Sequence, residues 1–348
     1  MEKEPVSPPP GPPSPVLVTG ANGFIGSALC RALQQAGCEV RGLILPGTDA
    51  GVLERMGVQY TPADICDPAT LAGPLSGVRT VFHLAALARD WGPWKLFMRV
   101  NADGAKNVLQ AAADAGVKRF VHMSSLAVHE FSGHVDADES TPATNRINGY
   151  CAAKIVAEEH VKEFQSGGRL ETTIIRPGAI IHGPGDTTVL IHLVPYLEQG
   201  KLMLISRGRQ LTCYSYVENL VGGMVLAASR PEAAGETFIL TDDIKITIRE
   251  LMEAICAALE IPPRFGSSPA WLARSAGWVL EMLWKLARRP QAPPVHRYRA
   301  NFAAKDFHFS CEKAKKVLGY RPAVSLQKGL NNAVRWYRTR INAQEGSR

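Results

Sequence analysis

The run Thr19-Gly20-Ala21-Asn22-Gly23-Phe24-Ile25-Gly26 constrains the fold more than any other part of this chain. It lies between the strand-like Val16-Leu17-Val18 and the helix-like Ser27-Ala28-Leu29-Cys30-Arg31-Ala32-Leu33, so its glycines form a turn that opens a helix. Such a turn suits a dinucleotide pyrophosphate. The chain must reverse tightly, approach a phosphate with bare backbone, and aim free N–H groups and the positive end of a helix at it. Glycine meets all three needs at little steric cost. A glycine pattern alone is a weak signal, and the strand and helix on either side give this one its meaning.

The rhythm that follows agrees. Short apolar runs at Val16-Val18, Glu39-Leu45, Thr80-His83, Arg119-Met123 and Thr172-Arg176 alternate with helical stretches, the signature of a parallel sheet covered on both faces. The expected class is therefore α/β: a Rossmann-type doubly wound parallel sheet over 16–176, then a smaller C-terminal substrate lobe over 177–340 that sends some strands and helices back to the core. The helix through Val108-Ala115 should end at Gly116, and Ile248-Leu259 and Cys311-Leu318 read as helices of the lobe. The proline-rich residues 1–15 carry no apolar run like that of a signal peptide, so they and 341–348 read as disordered tails.

With 46% hydrophobic residues, a 348-residue chain can bury a substantial core. Its seven cysteines form no C-x-x-C pair, which argues against disulfides and structural zinc and for a reducing, cytoplasmic setting. The histidines have no metal-like spacing. A net charge of +7, read as scattered with a modest concentration towards the C-terminus, fits attraction to anionic ligands or lipid rather than nucleic-acid binding.

Ser125, Tyr150 and Lys154 carry the chemistry. Ser125 follows the Arg119-Met123 strand, at the carboxyl end of the sheet where open α/β folds bind ligands. Tyr150 and Lys154 are one helical turn apart and share a face. A phenol titrates near pH 10, and a neighbouring ammonium together with an oxidised nicotinamide should lower it until it can take or return a hydroxyl proton. Ser125 would polarise the substrate oxygen. Lys154 would also reach the cofactor ribose. A tyrosine and a lysine four apart also arise by chance, and it is their place in the chain that argues against chance here.

At this point the chain resembles the extended short-chain dehydrogenase/reductases, the NAD-dependent epimerase/dehydratase superfamily, from Val16 to Arg338. The motifs follow in order: Ala63-Asp64-Ile65, His83-Leu84-Ala85-Ala86, Val100-Asn101-Ala102-Asp103-Gly104, Met123-Ser124-Ser125, Tyr150/Lys154, Arg176-Pro177-Gly178-Ala179 and Gly183-Pro184-Gly185-Asp186. The resemblance implies cofactor contacts from Gly20, Asn22, Gly23, Phe24, Ile25, Gly26, Asp64, Ile65, Leu84, Ala85, Ala86, Asn101, Ser124, Tyr150, Lys154, Pro177, Gly178 and Ile180. It implies substrate contacts from Leu87, Trp91, Leu126, His129, Ala179 and Tyr214. Tyr216-Val217-Glu218-Asn219-Leu220, Pro269-Ala270-Trp271 and Lys313–Pro322 resemble the branch of 3β-hydroxysteroid and sterol-4α-carboxylate dehydrogenases, with bacterial relatives acting on long-chain β-hydroxy or β-keto acids. The implied activity is alcohol–ketone interconversion on an apolar small molecule, with decarboxylation where a β-carboxylate is present, and a homodimer as one assembly.

Two departures qualify the resemblance. Thr212 stands where sugar-nucleotide enzymes usually carry a diphosphate-binding arginine, which disfavours a nucleotide-sugar epimerase or dehydratase, although Arg207 and Arg209 are near. The end of the second strand reads Gly42-Leu43-Ile44-Leu45-Pro46, with neither an acid for the ribose of NAD nor an arginine for the phosphate of NADP. The choice between them stays open, leaning to NAD, with Arg41 the nearest residue that would read a phosphate. A non-enzymatic cofactor-sensing scaffold is the remaining alternative, and the intact Ser125/Tyr150/Lys154 set counts against it. Finally, Pro269–Pro290 is an amphipathic helix in which Trp271, Leu272, Trp278, Val279, Met282, Leu283, Trp284 and Leu286 oppose Arg274, Glu281, Lys285 and Arg288. Three roles are open to it: a helix packed in the core, a lid over an apolar substrate, or a peripheral membrane contact.

Overall fold

The computed structural model describes residues 11–345. Its centre is a seven-stranded parallel sheet. The first five strands are β1 (Val16–Thr19), β2 (Val40–Ile44), β3 (Gln59–Pro62), β4 (Thr80–His83) and β5 (Arg119–Met123). The order across the sheet is Thr237–Leu240, Glu171–Pro177, β5, β4, β1, β2, β3. The chain thus starts in the middle, runs outward through β2 and β3, and returns to the other side of β1 with β4. The register sets Thr19 beside both Leu43 and His83, and His83 beside His122, so these strands end along one rim.

Alternation along each strand divides the core. Val16 and Val18 face one side, packing with Phe82, Val121 and Ile175 against Leu29, Cys30 and Leu33 of the Phe24–Gln35 helix and Leu220 and Met224 of the Val217–Ser229 helix. Leu17, Val81, Phe120 and Ile174 face the other, against Val108, Leu109 and Ala112 of the Gly104–Asp114 helix and Val161 and Phe164 of the Gly149–Ser166 helix. The Gly104–Asp114 helix ends as expected, with Gly116 in the left-handed region at φ 71°.

The structure fills in the sequence reading and corrects it in places. β3 escaped the apolar pattern because it is a largely exposed edge strand, free to carry Gln59, Thr61 and Pro62. Thr237–Leu240 and Val217–Ser229 lie far along the chain yet complete the sheet and cover one face, so the unit beginning at 16 is finished by residues of the lobe. The lobe also contains the helices Leu190–Glu198, Arg297–Ala304 and Leu326–Glu345. Residues 11–15 are not a loose tail. The carbonyls of Pro13 and Pro15 accept from Thr80 Oγ1 and Arg79 N at 2.7 and 2.8 Å, and Ser14 Oγ accepts from Glu39 N at 2.9 Å. Residues 341–345 continue the last helix, while 1–10 and 346–348 lie outside the described residues.

Candidate active site

The glycine turn leaves β1 with Gly20 at φ 67°, where a Cβ would lie 3.1 Å from the Ala85 backbone. A Cβ on Gly26 would lie 2.1 Å from the Gly20 carbonyl oxygen, so the helix can start this close to the turn only with glycine there. Gly23 is exposed and caps the helix without a side chain, and the first turn carries no acid. The first N–H groups of an α-helix have no partner within it, so this end offers donors and a positive dipole end to an anion. These features fit a dinucleotide pyrophosphate. Asn22 serves the turn in another way, since its Nδ2 donates to Thr48 Oγ1 and the Asp49 carbonyl, both at 2.9 Å, and so ties the turn to the loop after β2.

Thr19 joins the strand ends. Its hydroxyl meets the Leu84 and Ala85 N–H groups and His83 Nδ1, each at 3.0 Å. Asn101 fixes the next residues, its Oδ1 accepting from Leu87 N at 2.7 Å and its Nδ2 donating to Leu87 O at 3.2 Å. It sits on a widened helical turn, Met98–Asp103, a type of irregularity frequent at functional sites.

Ser125 follows β5, its Oγ accepting from Ala127 N at 3.1 Å. Tyr150 and Lys154 lie on the Gly149–Ser166 helix, whose N-cap is Asn148: its Oδ1 accepts from Cys151 N at 2.9 Å, and its Nδ2 donates to the Asp90 carbonyl at 3.1 Å. Gly149 permits the close seating of this helix, since a Cβ there would lie 2.8 Å from the Phe97 ring. Lys154 is buried and donates to the Met123 carbonyl at 2.7 Å. Burial pushes its ammonium down to about 8, with Glu158 pulling the other way.

Tyr150 sits at the start of the same helix. Burial pushes its phenol up to about 12, and the nearby Ser125 hydroxyl offsets only part of that. The protein's own groups therefore keep Tyr150 protonated at neutral pH rather than lowering it, because burial outweighs the polar contacts around it.

Behind the pair runs an ionic network that the sequence motifs did not reveal. Arg176 grips Glu158 with Nε to Oε1 at 2.8 Å and Nη2 to Oε2 at 2.6 Å, Ser124 Oγ donates to Glu158 Oε1 at 2.6 Å, and all three side chains are buried. Burial alone would raise the Glu158 carboxyl, but Arg176 and Ser124 hold it below the ordinary range. The signal was present: Tyr150, Lys154 and Glu158 recur at intervals of four on one helix face. Two further buried groups lie nearby, His83 and His122, stacked at 5.5 Å. Burial, and then the Lys154 charge, lower both, His83 to about 3.

The other expected residues separate into exposed and buried sets. Leu84, Ala85, Ala86, Leu87 and Trp91 are partly exposed on the segment after β4, and Ala179 and Ile180 beyond Pro177 also reach solvent. Leu126, His129 and Tyr214 do not offer a substrate surface. Leu126 is in an apolar cluster with Ile239, Phe307 and Phe309. His129 is fully buried between Pro142 O at 3.1 Å and Arg176 Nη1 at 3.3 Å, and Tyr214 packs in the core of the lobe. Side chains next to a reactive residue in sequence point inward here because the chain turns into a tight helical turn after Ser125. Ile65, Pro177 and Gly178 are likewise buried; Gly178 N–H donates to Ser215 Oγ at 2.8 Å. Asp64 turns its carboxylate to Cys66 N at 2.9 Å. Arg41 is committed to Glu39 and to the Ser76 carbonyl, away from the end of β2.

Comparison with known proteins bears on the family and the fold. The model of the NAD dependent epimerase/dehydratase family matches residues 16–240. The 2-alkyl-3-oxoalkanoate reductase of Stenotrophomonas maltophilia is 32% identical over 323 residues, covering 90% of this chain and 97% of its own. The decarboxylating sterol-4-alpha-carboxylate 3-dehydrogenase of Mus musculus is 31% identical over 333 residues, covering 91% and 89%. Among solved structures, that of gox2253 superposes with a TM-score of 0.79 at 30% identity over 93% of this chain and 98% of its own. The glycine turn, the order of the sheet and these matches together show that the chain belongs to the NAD dependent epimerase/dehydratase family, as an extended short-chain dehydrogenase/reductase.

Proposed function

We propose that this oxidoreductase interconverts a secondary alcohol and a ketone on a large apolar substrate, a long-chain β-hydroxy/β-keto acid or a sterol-like ring system, with NAD favoured modestly over NADP. The observation that carries the reading is geometric: Lys154, one helical turn beyond Tyr150, donates to the Met123 carbonyl at the carboxyl rim of the sheet, where Ser125 follows β5, and burial pushes the Tyr150 phenol up. A nicotinamide bound at that rim supplies the two-electron donor or acceptor. Towards the ketone, Tyr150 must first release its own proton, and the resulting phenolate then takes the alcohol proton. In the reverse direction Tyr150 delivers its proton to the carbonyl oxygen while the Ser125 hydroxyl polarises and orients that oxygen. Lys154, anchored on Met123 one helical turn from Tyr150, would favour the ionised phenol and meet the cofactor ribose. The Ser124–Glu158–Arg176 network fixes the strand ends and the helix against each other.

The segment after β4 supports an apolar substrate, since Leu87 packs in the same apolar cluster as Tyr150 and Trp91 follows it, partly exposed. Arg207 and Arg209 lie on a separate turn, and the nearby Thr212 is buried. Two relatives bear names of enzymes acting on 2-alkyl-3-oxoalkanoates and on sterol carboxylates, which points the same way. The lean to NAD rests on the loop after β2: no basic residue occurs between Arg41 and Arg55, and Asp49 sits in the loop that Asn22 ties to the glycine turn. The test is a cofactor-reduction screen with long-chain β-hydroxy acids, 3β-hydroxysterols and UDP-sugars, with carbon dioxide release measured alongside. Turnover of an apolar alcohol is expected, and turnover of UDP-sugars alone would overturn the reading.

A further inference from the structure

The helix Ala270–Leu286 is built inside out. Residues at intervals of four, Ala273, Gly277 and Glu281, are its buried positions. A Cβ on Gly277 would lie 3.1 Å from the His296 carbonyl carbon and 3.4 Å from Ala300 Cβ, so the small face packs against the Arg297–Ala304 helix. Its large apolar residues face outward. Trp271 is 69% exposed, Trp278 54% and Leu286 83%, and Leu272, Val279, Met282 and Leu283 are exposed as well. Trp271, Ser275, Trp278, Met282 and Leu286 run down the centre of that face at spacings of three and four. A core-packed role is thereby excluded for these side chains. Trp284 differs: it is half-buried, with the Arg289 guanidinium 5.3 Å above its ring. A helix of a soluble protein normally turns its large apolar residues inward, and a contiguous apolar face of this size marks a surface that meets something.

Charge identifies what that is. From Ile261 to Lys305 the chain holds eight Lys or Arg and one acid, Glu281. That excess equals the +7 of the whole protein, so the remaining residues balance, and the positive charge read as scattered is concentrated here. The one acid is withdrawn from the surface: Glu281 is buried and accepts from Lys285 Nζ and Arg297 Nη2, both at 2.7 Å. Arg274, Lys285, Arg288 and Arg289 remain exposed along the apolar face and at its C-terminal end. Among the described residues no helix is long and apolar enough to cross a membrane.

We propose that the exposed face of Ala270–Leu286 docks onto an anionic lipid bilayer, its tryptophans and leucines entering the interface and its cations meeting the headgroups. A second copy of the chain is a poorer occupant, because self-docking would bring the whole excess positive charge of both copies together with no free acid between them. Docking here also lies beside the active site. Asp90 is held by Arg299 Nε at 2.6 Å, and Trp91 Nε1 donates to the Arg289 carbonyl at 3.4 Å. The backbone carbonyl of Asp90 in turn receives the Asn148 amide that caps the Tyr150 helix. Lipid contact and the substrate-side segment are thus joined by two residues.

The test is co-sedimentation of the full chain with vesicles of phosphatidylcholine alone and of phosphatidylcholine mixed with phosphatidylglycerol. Binding to the mixed vesicles at least about tenfold tighter than to the neutral ones, and weakened by salt, is expected. Trp271→Ser/Trp278→Ser/Leu286→Ser should lower that binding by at least about tenfold, because the buried apolar area goes with it. Arg288→Glu/Arg289→Glu should do the same on mixed vesicles only, and supplies the answer if the triple variant fails to fold. Melting temperatures near that of the parent are expected, since the substituted groups are exposed. Wild-type protein left in the supernatant with both vesicle types overturns the proposal. So does a dimer, seen by light scattering without lipid, that the triple variant abolishes while vesicle binding is unaffected. Vesicle binding is read without turnover, so a failed substrate screen leaves this result standing.

Discussion

In the proposed reaction Tyr150 exchanges the proton that alcohol–ketone interconversion needs, and burial holds its phenol in the protonated form. Tyr150→Phe should therefore lower kcat by at least about a hundredfold, while NAD affinity by calorimetry changes little; near-parental turnover would remove the tyrosine from the mechanism. Lys154 yields a pH prediction. Its folded-state value of about 8 lies below the ordinary 10.5, so between these pH values the unfolded chain binds the extra proton. Stability from this group rises with pH across that window, by at most about 1.4 kcal/mol per pH unit. The difference in unfolding free energy between wild type and Lys154→Met, measured by denaturant titration at pH 8 and pH 10, should shift in favour of wild type at the higher pH. A flat difference would mean that Lys154 titrates as it does in water. His83 has the same sign at acid pH: its folded value of about 3 lies below 6.5, so its contribution falls as pH drops below about 6.5.

At the scale of elements, the site is a meeting of strand ends with one helix. Asn148 caps that helix and also grips the Asp90 carbonyl. Asn148→Ala should cost about 1 kcal/mol in denaturant unfolding, as loss of an N-cap does, and should also lower kcat, because the helix end that places Tyr150 loses its tie to the substrate-side segment. Unchanged kcat would confine Asn148 to stability. In the proposed reading, the loop after β2 governs the cofactor preference. With Leu45 exposed at its start and no cation before Arg55, discrimination between NAD and NADP in steady-state kinetics should stay under about a hundredfold, since a charged partner accounts for a few kcal/mol of selectivity at most. A preference above about a thousandfold would place the ribose-reading residue elsewhere, and Arg41 is already engaged by Glu39.

At the scale of the whole molecule, the fold closes on itself through residues distant in sequence. Pro13, Ser14 and Pro15 brace the N-terminal ends of the strands, so a chain starting at Val16 should unfold with about 1–3 kcal/mol less stability than one starting at Gly11, through the hydrogen bonds lost with them. Equal stability in urea would show those bonds to be incidental. The C-terminal half supplies the last strand of the sheet, a helix over one of its faces and the outward apolar helix, so neither half forms a complete core alone.

The sequence by itself determined the residues whose roles follow from local geometry. The glycine turn must open a helix after a strand, and Tyr150 and Lys154 must share a face, because 3.6 residues per turn leaves no other arrangement. Ser125 at the end of β5 was legible for the same reason, as was the parallel sheet, whose buried strands are short apolar runs. Tertiary structure decided what depends on neighbours far along the chain. Burial raised the phenol of Tyr150 where its local partners suggested the opposite. His129, four residues past Ser125, and Tyr214 in the lobe both went into the core. The pairing of Glu158 with Arg176 required the helix and the Glu171–Pro177 strand to meet. The Ala270–Leu286 helix shows the division most clearly. Its periodicity announced an apolar face, but which face turned inward was set by Gly277 and Ala273 allowing the neighbouring helix to approach, and by Glu281 finding Arg297 there.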